Sequence, residues 1–382
     1  MLGKTEIIKK AMEIGFCDIG FTGIEPFTSQ LQILQERSDL YHWTLEKGMD
    51  LQKGADPTTA MPEAKTLIVV LDNYYQSAFP NSMVGKFGRC YLDDDRVTRD
   101  GLAIRIKQLR SYLRENGIQS TVPAFLPHRL AAARAGLGGF GKNCLFYAGR
   151  AVRQSSWVLP VAILIDHEFT ADPPSVEVNC PKWCRNACIS ACPTGALISP
   201  NKIDPRRCIS YLSYYGEGLT PLELREPMGM WVYGCDRCQN VCPRNEPWLA
   251  QELPENNKVN AKASSFDLIQ LLHMDREYFK RYIKPHMFYM SSHDLWRWKM
   301  NVARVMGNSH DRNYAGNLIL AYRENDDERV RAMIAWALGQ LGGAEALLAL
   351  QDFAHDADGF LMEEIDLALA KLTTSLPVPE DE

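Results

Sequence analysis

The spacing of apolar positions predicts two buried strands and a long helix in the first half of the chain. Residues 66–71 form a near-continuous apolar run, which is typical of a strand covered on both faces. Leucine and isoleucine recur at helical spacing between about 100 and 116, where an Asn-Gly pair ends the pattern. A second apolar run covers residues 157–165, and Pro160 predicts a bulge or an edge position in that strand.

The N-terminal residues add a helix and a short strand to this pattern. Thr5 is placed to cap a helix over 6–14, which ends at Gly15, and residues 16–21 follow as a strand. The mixture of strands and helices predicts an α/β domain over residues 1–175.

Beyond about residue 262 the pattern is helical throughout and contains an internal repeat. Ala-Arg-Val-Met-Gly-Asn at 303–308 recurs 32 residues later as Ala-Trp-Ala-Leu-Gly-Gln at 335–340, and residues 367–370 fall one further period on. Helix pairs ending in glycine at such a period predict HEAT-like repeats over 262–375. Stacked repeats leave one face for a partner, although a small cap that only stabilises the core is the alternative.

Charge and length limit the class of protein further. A chain of 382 residues is long for one core and indicates two or three domains. A formal net charge of -5 does not indicate a nucleic-acid binder. In the helical region, the positive charge of the basic residues is partly offset by three acidic residues, Asp326, Asp327 and Glu328. The basic residues are Arg297, Lys299, Arg304, Arg312, Arg323, Arg329 and Arg331.

The chain carries no sequence signal for export or membrane insertion. Its N-terminus lacks the apolar segment of a signal peptide. No run of about 18 apolar residues is present. We therefore expect a cytoplasmic protein without membrane contact, in a compartment where thiols stay reduced.

Cysteines between residues 180 and 242 carry the strongest chemical signal. Two Cys-x3-Cys-Pro endings, each with further cysteines upstream, are typical of a pair of 4Fe–4S clusters in which the cysteine before proline ligates the other cluster. The density of Cys and Pro over 176–255 predicts a ferredoxin-like module held by metal. This pattern assigns Cys180, Cys184, Cys188 and Cys242 to one cluster and Cys192, Cys208, Cys235 and Cys238 to the second.

Zinc and disulfides are the competing interpretations of these cysteines. Zinc uses Cys-x2-Cys pairs but does not explain the two Cys-Pro endings, and disulfides need an oxidising compartment. The usual bacterial spacing is Cys-x2-Cys-x2-Cys, whereas this chain has Cys-x3-Cys-x3-Cys, so Cys180 is a weaker assignment than Cys188. Cys17, Cys90 and Cys144 fall outside the module and are expected to be small buried apolar groups.

Residues 135–143 form a glycine-rich segment between a helix and the strand at 157–165. Glycines at this density allow the backbone to approach a ligand closely. Gly136, Gly138 and Gly141 have the spacing of the dinucleotide-binding fingerprint but not its context. No strand immediately precedes them, and no acidic residue follows at the expected distance. A phosphate-bearing ligand remains compatible with the segment.

Several motifs along nearly the whole chain occur together in one known family. They are Gly-Phe-Cys-Asp-Ile-Gly at 15–20, Ala-Asp-Pro at 55–57, Ala-Arg-Ala-Gly-Leu-Gly at 133–138, Gly-Lys-Asn at 141–143, Cys-Pro-Thr-Gly-Ala-Leu at 192–197, Arg-Cys-Ile-Ser-Tyr-Leu at 207–212 and Tyr-Gly-Cys-Asp-x-Cys-Gln-x-Val-Cys-Pro at 233–243. With these motifs the chain resembles the epoxyqueuosine reductases, which complete queuosine in tRNA with cobalamin and iron–sulfur clusters.

The resemblance implies base-off cobalamin in the N-terminal α/β domain beside a two-cluster electron relay, and helical repeats that hold tRNA. One cluster would reduce the cobalt to Co(I), and the other would accept electrons from a ferredoxin or flavodoxin. Gly136, Gly138 and Gly141 are expected close to the cofactor. Lys142 and Asn143 are expected on the cobalamin tail or its phosphate, a tight turn with an exposed lysine being the alternative.

The chain departs from the family where the catalytic Asp is usual. Val122 stands at that position, and no carboxylate occurs between 116 and 165. His128 is the histidine of this segment, and its ordinary pKa near 6.5 suits a general acid. The alternative is that His128 caps or packs the helix that follows. Tyr74 and Tyr75 are expected to line the cavity, with Asp72 as a second candidate carboxylate.

The sequence therefore predicts a monomer with an α/β cobalamin-binding domain, a ferredoxin-like double 4Fe–4S module and C-terminal α-helical HEAT-like repeats. The predicted activity is reductive removal of the epoxide oxygen of epoxyqueuosine in tRNA. A cobalamin-dependent reductase of a small molecule, similar to the dehalogenases, and a corrinoid-reactivating electron-transfer protein are the alternatives. Arg206 and Arg207, beside Cys208, either tune a cluster potential or are merely solvated.

Overall fold

A computed structural model describes residues 2–93, 101–175, 180–287 and 289–374. The chain forms two compact units, each built from separate segments. The first unit comprises Met1–Ala78, Asp93–Cys208 and Asp236–Pro254, and the second comprises Phe79–Leu92, Ile209–Cys235 and Glu255–Glu382. The predicted domain boundaries at 175–176 and 255 remain a prediction, and residues 176–179 and 375 lie outside the described residues.

Strands are concentrated in the first unit. They are β1 (Asp18–Thr22), β2 (Thr66–Asn73), β3 (Ser120–Thr121), β4 (Gly138–Phe140), β5 (Phe146–Ala148), β6 (Val158–Ile165), β7 (Leu197–Ser199) and β8 (Lys202–Ile203).

Helices occur in both units and dominate the second. They are α1 (Lys4–Ile14), α2 (Thr28–Glu36), α3 (Ser38–Tyr41), α4 (Trp43–Glu46), α5 (Leu51–Gly54), α6 (Cys90–Asp93), α7 (Leu102–Glu115), α8 (His128–Arg134), α9 (Ala187–Ser190), α10 (Ile209–Tyr214), α11 (Leu222–Arg225), α12 (Arg237–Asn240), α13 (Glu246–Leu249), α14 (Asn257–Ala263), α15 (Leu268–His273), α16 (Arg276–Tyr278), α17 (Leu295–Ser309), α18 (Ala315–Glu324), α19 (Glu328–Leu341), α20 (Ala344–Phe353) and α21 (Gly359–Thr374). A π-helical segment over Phe279–Ile283 follows α16.

The central sheet of the first unit has the order β1-β2-β6-β3, and its neighbouring strands are antiparallel. Alternate residues of β2 enter different cores. Leu67, Val69 and Leu71 pack with α8, whereas Ile68 and Val70 pack with α1 and α7. The apolar run at 66–71 therefore marks a strand covered on both faces, as predicted. Such runs are commonest in parallel sheets, but here helices cover both faces of an antiparallel one.

Local signals at the element ends were less reliable. Helix α1 begins at Lys4 with Gly3 as its N-cap, so Thr5 lies inside the helix and is not the cap. Pro160 lies within β6 and pairs with Leu71. The short strand β3 pairs with β6 only at the end of β6. Around Pro160, β6 therefore has β2 as its one described neighbouring strand.

The second unit contains the predicted repeats. Helices α17, α19 and α21 stack side by side, and glycines allow the close approach. A Cβ atom at Gly307 would lie 2.9 Å from the Cα of Ala337, and one at Gly339 would lie 2.9 Å from the Cα of Ala368. These glycines are inside their helices rather than after them, so the repeated motif marks helix–helix contacts instead of helix ends.

Among the described residues, no helix has both the length and the apolar character needed to cross a bilayer.

Candidate functional site

The first predicted cluster set converges in the first unit. Helix α9 carries Cys188, and Cys242 follows helix α12, which packs against α9. Burial raises the pKa of the Cys188 thiol, and the neighbouring sulfurs of Cys242, Cys184 and Cys180 raise it further. These three neighbours are the other members of the predicted set, so the fold groups the four cysteines that the sequence assigned together.

Two hydrogen bonds reach sulfurs of this set from the hairpin β4–β5 and its turn. The backbone N–H of Lys142 donates to Cys180 Sγ at 3.4 Å, and the Tyr147 hydroxyl donates to Cys242 Sγ at 3.1 Å. Hydrogen bonds to cluster sulfurs are a principal control on reduction potential. The first predicted set therefore has hydrogen-bond donors that would tune a cluster bound there.

Three cysteines of the second set, Cys192, Cys208 and Cys238, belong to the first unit, whereas Cys235 is the last residue of a segment of the second unit. Cys192 Sγ lies 3.8 Å from the Thr194 hydroxyl. The grouping of these four cysteines around one cluster remains a prediction. Of the arginines beside Cys208, Arg206 pairs with Asp204 at 3.2 Å and Arg207 donates to the Thr194 carbonyl at 2.8 Å.

The structure shows neither a disulfide nor a single-ion site at the described cysteines. All of the cysteines carry free thiols, and within the described ranges no three His, Cys, Asp or Glu side chains converge closely enough to hold one metal ion. The choice of a cluster over zinc therefore rests on the spacing of the cysteines along the chain.

A buried polar network attaches the cysteine segment to the central sheet. Gln239 on α12 accepts hydrogen bonds from the Tyr74 hydroxyl at 3.0 Å and the Ser156 hydroxyl at 2.9 Å. Asn245 donates to Ser156 Oγ and to the Gln239 carbonyl, both at 2.9 Å. Buried networks whose members are satisfied hold neighbouring elements rigidly, so this network fixes the position of α12 and of Cys242 beyond it.

The glycine-rich segment forms part of the protein's own packing. Gly138 pairs with Ala148 in the hairpin β4–β5. A Cβ at Gly136 would lie 2.5 Å from the Pro173 carbonyl oxygen, and one at Gly141 would lie 2.4 Å from the Tyr147 ring. These close approaches explain the glycines without a ligand, so the structure gives no support to their predicted closeness to cobalamin.

Lys142 and Asn143 also differ from their predicted role on the cobalamin tail. The Lys142 ammonium donates to the Asn186 side chain at 2.8 Å and to the Cys184 carbonyl at 3.4 Å. Asn143 is buried, and its amide donates to the Tyr147 hydroxyl at 3.0 Å and to the Cys238 carbonyl at 3.4 Å. Both side chains therefore hold the cysteine segment.

His128 is the first residue of α8 rather than its cap, and backbone groups engage both of its ring nitrogens. The Ala162 N–H donates to Nδ1 at 2.9 Å, so Nδ1 is the acceptor. Nε2 therefore carries the proton and donates it to the Pro123 carbonyl at 3.1 Å. The ring thus joins α8 to β6, which favours the packing alternative over the predicted general acid.

Tyr75 and Asp72, the other catalytic candidates, are buried. The Tyr75 ring packs against Trp157, with ring centroids 4.7 Å apart, and against Trp248 at 5.8 Å. Asp72 pairs with Arg105 at 2.6 Å. Val122, at the position of the missing carboxylate, packs against the apolar core formed with α1 and α7. The described contacts thus give these three residues structural roles.

Two residues beside the cysteines, Arg244 and Cys144, were not predicted to belong to the site. The Arg244 guanidinium lies 4.7 Å from the centre of the Tyr147 ring, and burial lowers its pKa. Burial raises the pKa of Cys144 to about 11, and the nearby Cys188 and Cys208 thiols also raise it. Only the position of Cys144 directly after the Gly-Lys-Asn motif linked it to the site. Nothing in the sequence distinguished Arg244.

Comparison with known families identifies two parts of the chain. Residues 180–245 match the family model described as a 4Fe–4S double cluster binding domain. Residues 289–370 match the model for HEAT repeats. Both matches confirm the predicted fold class, and the first confirms the prediction of two 4Fe–4S clusters over zinc or disulfides.

Comparison with whole proteins extends these matches. An epoxyqueuosine reductase from Bacillus cereus is 30% identical over 358 residues, which is 89% of each chain. A structure of an epoxyqueuosine reductase with an epoxyqueuosine-modified tRNA-Tyr stem loop is 25% identical, with a TM-score of 0.80 over 97% of this chain and 98% of that one. A Bacillus subtilis epoxyqueuosine reductase, captured with its aspartate catalytic loop swung out of the active site, is 26% identical, with a TM-score of 0.79 over the same shares. The chain therefore belongs to the epoxyqueuosine reductase family of cobalamin-dependent, iron–sulfur oxidoreductases.

Proposed function

We propose that this chain reduces the epoxide of epoxyqueuosine in tRNA. The observation that carries the proposal is the match over 97% of the chain to an epoxyqueuosine reductase bound to a modified tRNA stem loop. The 4Fe–4S double cluster binding domain matched at residues 180–245 would supply the electron-transfer chemistry that this reaction needs. The relatives and solved structures reported above support this reading rather than the small-molecule or corrinoid-reactivating alternatives.

The net reaction consumes two electrons and two protons. The epoxide C–O bonds break, the carbon–carbon double bond forms, and the oxygen leaves as water. The cysteine module at residues 180–245 would hold the 4Fe–4S clusters, which would supply the two electrons one at a time. The Tyr147 hydroxyl donates to Cys242 Sγ and the Lys142 backbone N–H donates to Cys180 Sγ, and both bonds would stabilise added negative charge on a cluster held there.

Cobalamin, when bound in its base-off Co(I) state, supplies a strong reductant and nucleophile. The residues that the sequence assigned to it are instead engaged in packing and with the cysteine segment. These internal contacts give no support to a cobalamin-binding role for the three glycines, Lys142 and Asn143.

We propose that the protons arrive through water rather than from a carboxylate or from His128. No carboxylate lies between residues 116 and 165. The Ala162 N–H points at His128 Nδ1, so protonating that nitrogen would place two donors face to face. The two contacts favour the tautomer with the proton on Nε2, where the Pro123 carbonyl accepts it.

The cellular setting follows from the same chemistry. A cytoplasmic location keeps the ligand thiols reduced, and a ferredoxin or flavodoxin supplies single low-potential electrons. We expect the chain to act as a monomer that contacts tRNA through its helical repeats.

The decisive experiment is mass spectrometry of an epoxyqueuosine-containing anticodon stem loop. The stem loop is incubated anaerobically with cluster-reconstituted protein, a low-potential reductant, and either added cobalamin or none. Loss of one oxygen that depends on cobalamin establishes the function. An unchanged stem loop, with both clusters and cobalamin verified in the sample, would contradict the proposal and favour a small-molecule substrate.

A further inference from the structure

A cationic segment of the second unit lies outside the matched HEAT repeats. Residues 276–284 read Arg-Glu-Tyr-Phe-Lys-Arg-Tyr-Ile-Lys, with four cationic side chains and one carboxylate, whereas the whole chain has a net charge of -5. The repeat match starts only at residue 289. Neither the repeats nor the cysteine module explains this concentration of positive charge.

The fold turns these cations outward together. Phe279 and Ile283 are fully buried in the apolar core of the second unit and anchor the segment. The segment passes from α16 into the π-helical turn over Phe279–Ile283, a geometry that is uncommon and frequent at functional sites. The outward residues form what we term the cationic ridge, which consists of Arg276, Lys280, Arg281, Tyr282 and Lys284.

Most of the ridge cations have no internal ion pair. Lys280 pairs with Glu277 at 2.8 Å, but both side chains are more than half exposed. Such pairs contribute little and exchange readily. The structure gives Arg276, Arg281 and Lys284 no ion pair with another described residue. The described partner of Arg281 is the Tyr282 ring, 5.1 Å from its centre.

Several cationic side chains of the neighbouring repeats, in contrast, are engaged in ion pairs or hydrogen bonds within the protein. Arg297 pairs with Asp294 at 2.8 Å, and Arg329 pairs with Asp327 at 2.6 Å. Arg304 is fully buried and donates to the carbonyls of Gly229 and Trp231. The basic residues that the sequence singled out in the repeats are thus largely committed to the fold, whereas those of the ridge are available.

Tyr282 adds an aromatic surface to the charge. Its ring is 37% exposed and rests against Tyr278, with ring centroids 4.8 Å apart. Tyr278 is held in turn by a hydrogen bond from its hydroxyl to the Ser265 carbonyl at 2.9 Å. An ordered, exposed ring among cations is the combination with which proteins stack an unpaired base and neutralise the adjoining phosphates.

We propose that the cationic ridge is an RNA-binding surface that contacts backbone phosphates of the tRNA substrate, with Tyr282 stacking against an unpaired nucleotide. The inference rests on the proposed function, because it is the RNA substrate that brings a phosphate backbone to the protein. Guanidinium and ammonium groups displace counterions from phosphates, which produces affinity that falls with salt. The ridge would therefore add phosphate contacts to those that the helical repeats make with the tRNA.

The test compares two triple variants of the full, cluster-loaded chain. Lys280→Gln/Arg281→Gln/Lys284→Gln removes three ridge charges, and the control Lys9→Gln/Lys53→Gln/Lys65→Gln removes three charges from exposed lysines of the first unit. Fluorescence anisotropy with a labelled anticodon stem-loop RNA gives the affinity at several salt concentrations. We expect the ridge variant to bind at least tenfold more weakly and its salt slope to fall by roughly 2, at about 0.7 per phosphate of a single strand. The control should change affinity less than twofold.

Tyr282 provides an independent measurement. Tyr282→Ala should weaken binding several-fold, whereas Tyr282→Phe, which keeps the ring, should bind as the wild type does. Unchanged melting temperatures would exclude unfolding as the cause, because Phe279 and Ile283 remain in place.

Equal RNA affinity of the ridge variant and the control variant would overturn the proposal. So would a ridge variant that binds RNA normally but is reduced more slowly by a flavodoxin, since the ridge would then dock the acidic electron donor. Turnover is scored separately on the wild type. A wild-type chain that binds the RNA but leaves its epoxide intact would contradict the proposed reductase function, while the comparison of variants would still decide the role of the ridge.

Discussion

Single residues near the site owe their roles to neighbours that are distant in sequence. His128 lies 34 residues from Ala162, whose N–H fixes its tautomer, and Tyr147 lies 95 residues from the cysteine it contacts. Residue type alone suggested a proton donor at position 128 because histidine titrates near neutral pH. The contacts that give it a packing role appear only once α8 and β6 are adjacent.

Replacing His128 separates these roles. His128→Ala leaves the buried Ala162 N–H without its acceptor, which should lower the free energy of unfolding by about 1–3 kcal/mol. Turnover of the protein that remains folded should change only a fewfold. Thermal melting and single-turnover mass spectrometry measure the two effects, with the exposed His42→Ala as control. A variant with wild-type melting and abolished turnover would restore the general-acid assignment.

Cysteines were predictable from sequence in a way that the other site residues were not. Their spacing reports ligand chemistry directly, because a cluster imposes the same constraints in every fold. Gly136, Gly141 and Lys142 belong to a motif that is equally conspicuous in the sequence. Their contacts in the structure, however, are with other residues of the chain. A glycine needed for a close backbone approach looks the same in sequence whether the approaching atom belongs to a ligand or to the chain itself.

At the scale of elements, the apolar patterns located β2, β6 and α7 to within a few residues. This is possible because a buried face makes apolar residues recur at the period of the strand or helix. Element ends and strand direction were less predictable. The cap of α1 is a glycine without a side chain, and nothing in the apolar run of β2 distinguishes antiparallel from parallel neighbours.

The repeat glycines test the close packing of helices. Gly339→Ala places a methyl group against the backbone of Ala368, which should destabilise the protein by about 1–3 kcal/mol through overpacking. Gly316→Ala is the matched control, because the nearest atom to its added Cβ is 3.7 Å away. There the gain in helix propensity should stabilise by roughly 0.5–1 kcal/mol. Chemical denaturation measures both changes, and equal effects would exclude the packing explanation.

The N-cap of α19 predicts a pH dependence. Burial raises the pKa of the Asp327 carboxyl, but hydrogen bonds from Arg329 and from backbone N–H groups lower it more, so the net pKa lies below the ordinary 3.8. A lowered folded-state pKa means that the stabilisation is complete well above pH 3.8 and is lost as the pH falls through the folded value.

Asp327→Ala should therefore lower stability by about 1 kcal/mol at pH 7, and the difference from wild type should shrink as the pH falls below about 4. Asp327→Asn keeps a capping oxygen and should cost less at neutral pH. Denaturant titrations between pH 3 and 7 measure the effect. A difference that stays constant over this range would show that the charge of Asp327 makes no contribution.

At the scale of the whole molecule, the assignment of eight cysteines to two clusters is open to a direct count. Cys188→Ser and Cys208→Ser should each leave roughly half of the iron and sulfide, because each removes a ligand of one predicted cluster. Cys144→Ser, close to both cysteines but outside the predicted sets, should leave the iron content unchanged. Loss of iron in the Cys144 variant would show that the ligand sets need revision.

The separation of each unit into segments has a consequence for synthesis of the protein. The first unit is completed by Asp236–Pro254, which follow an excursion of the chain into the second unit. A nascent chain that has left the ribosome as far as Cys208 has three of the four cysteines around Cys188 but still lacks Cys242. Proteins usually fold from the N-terminus as they are made, but with the predicted ligand set the first cluster would be completed only after Cys242 has left the ribosome.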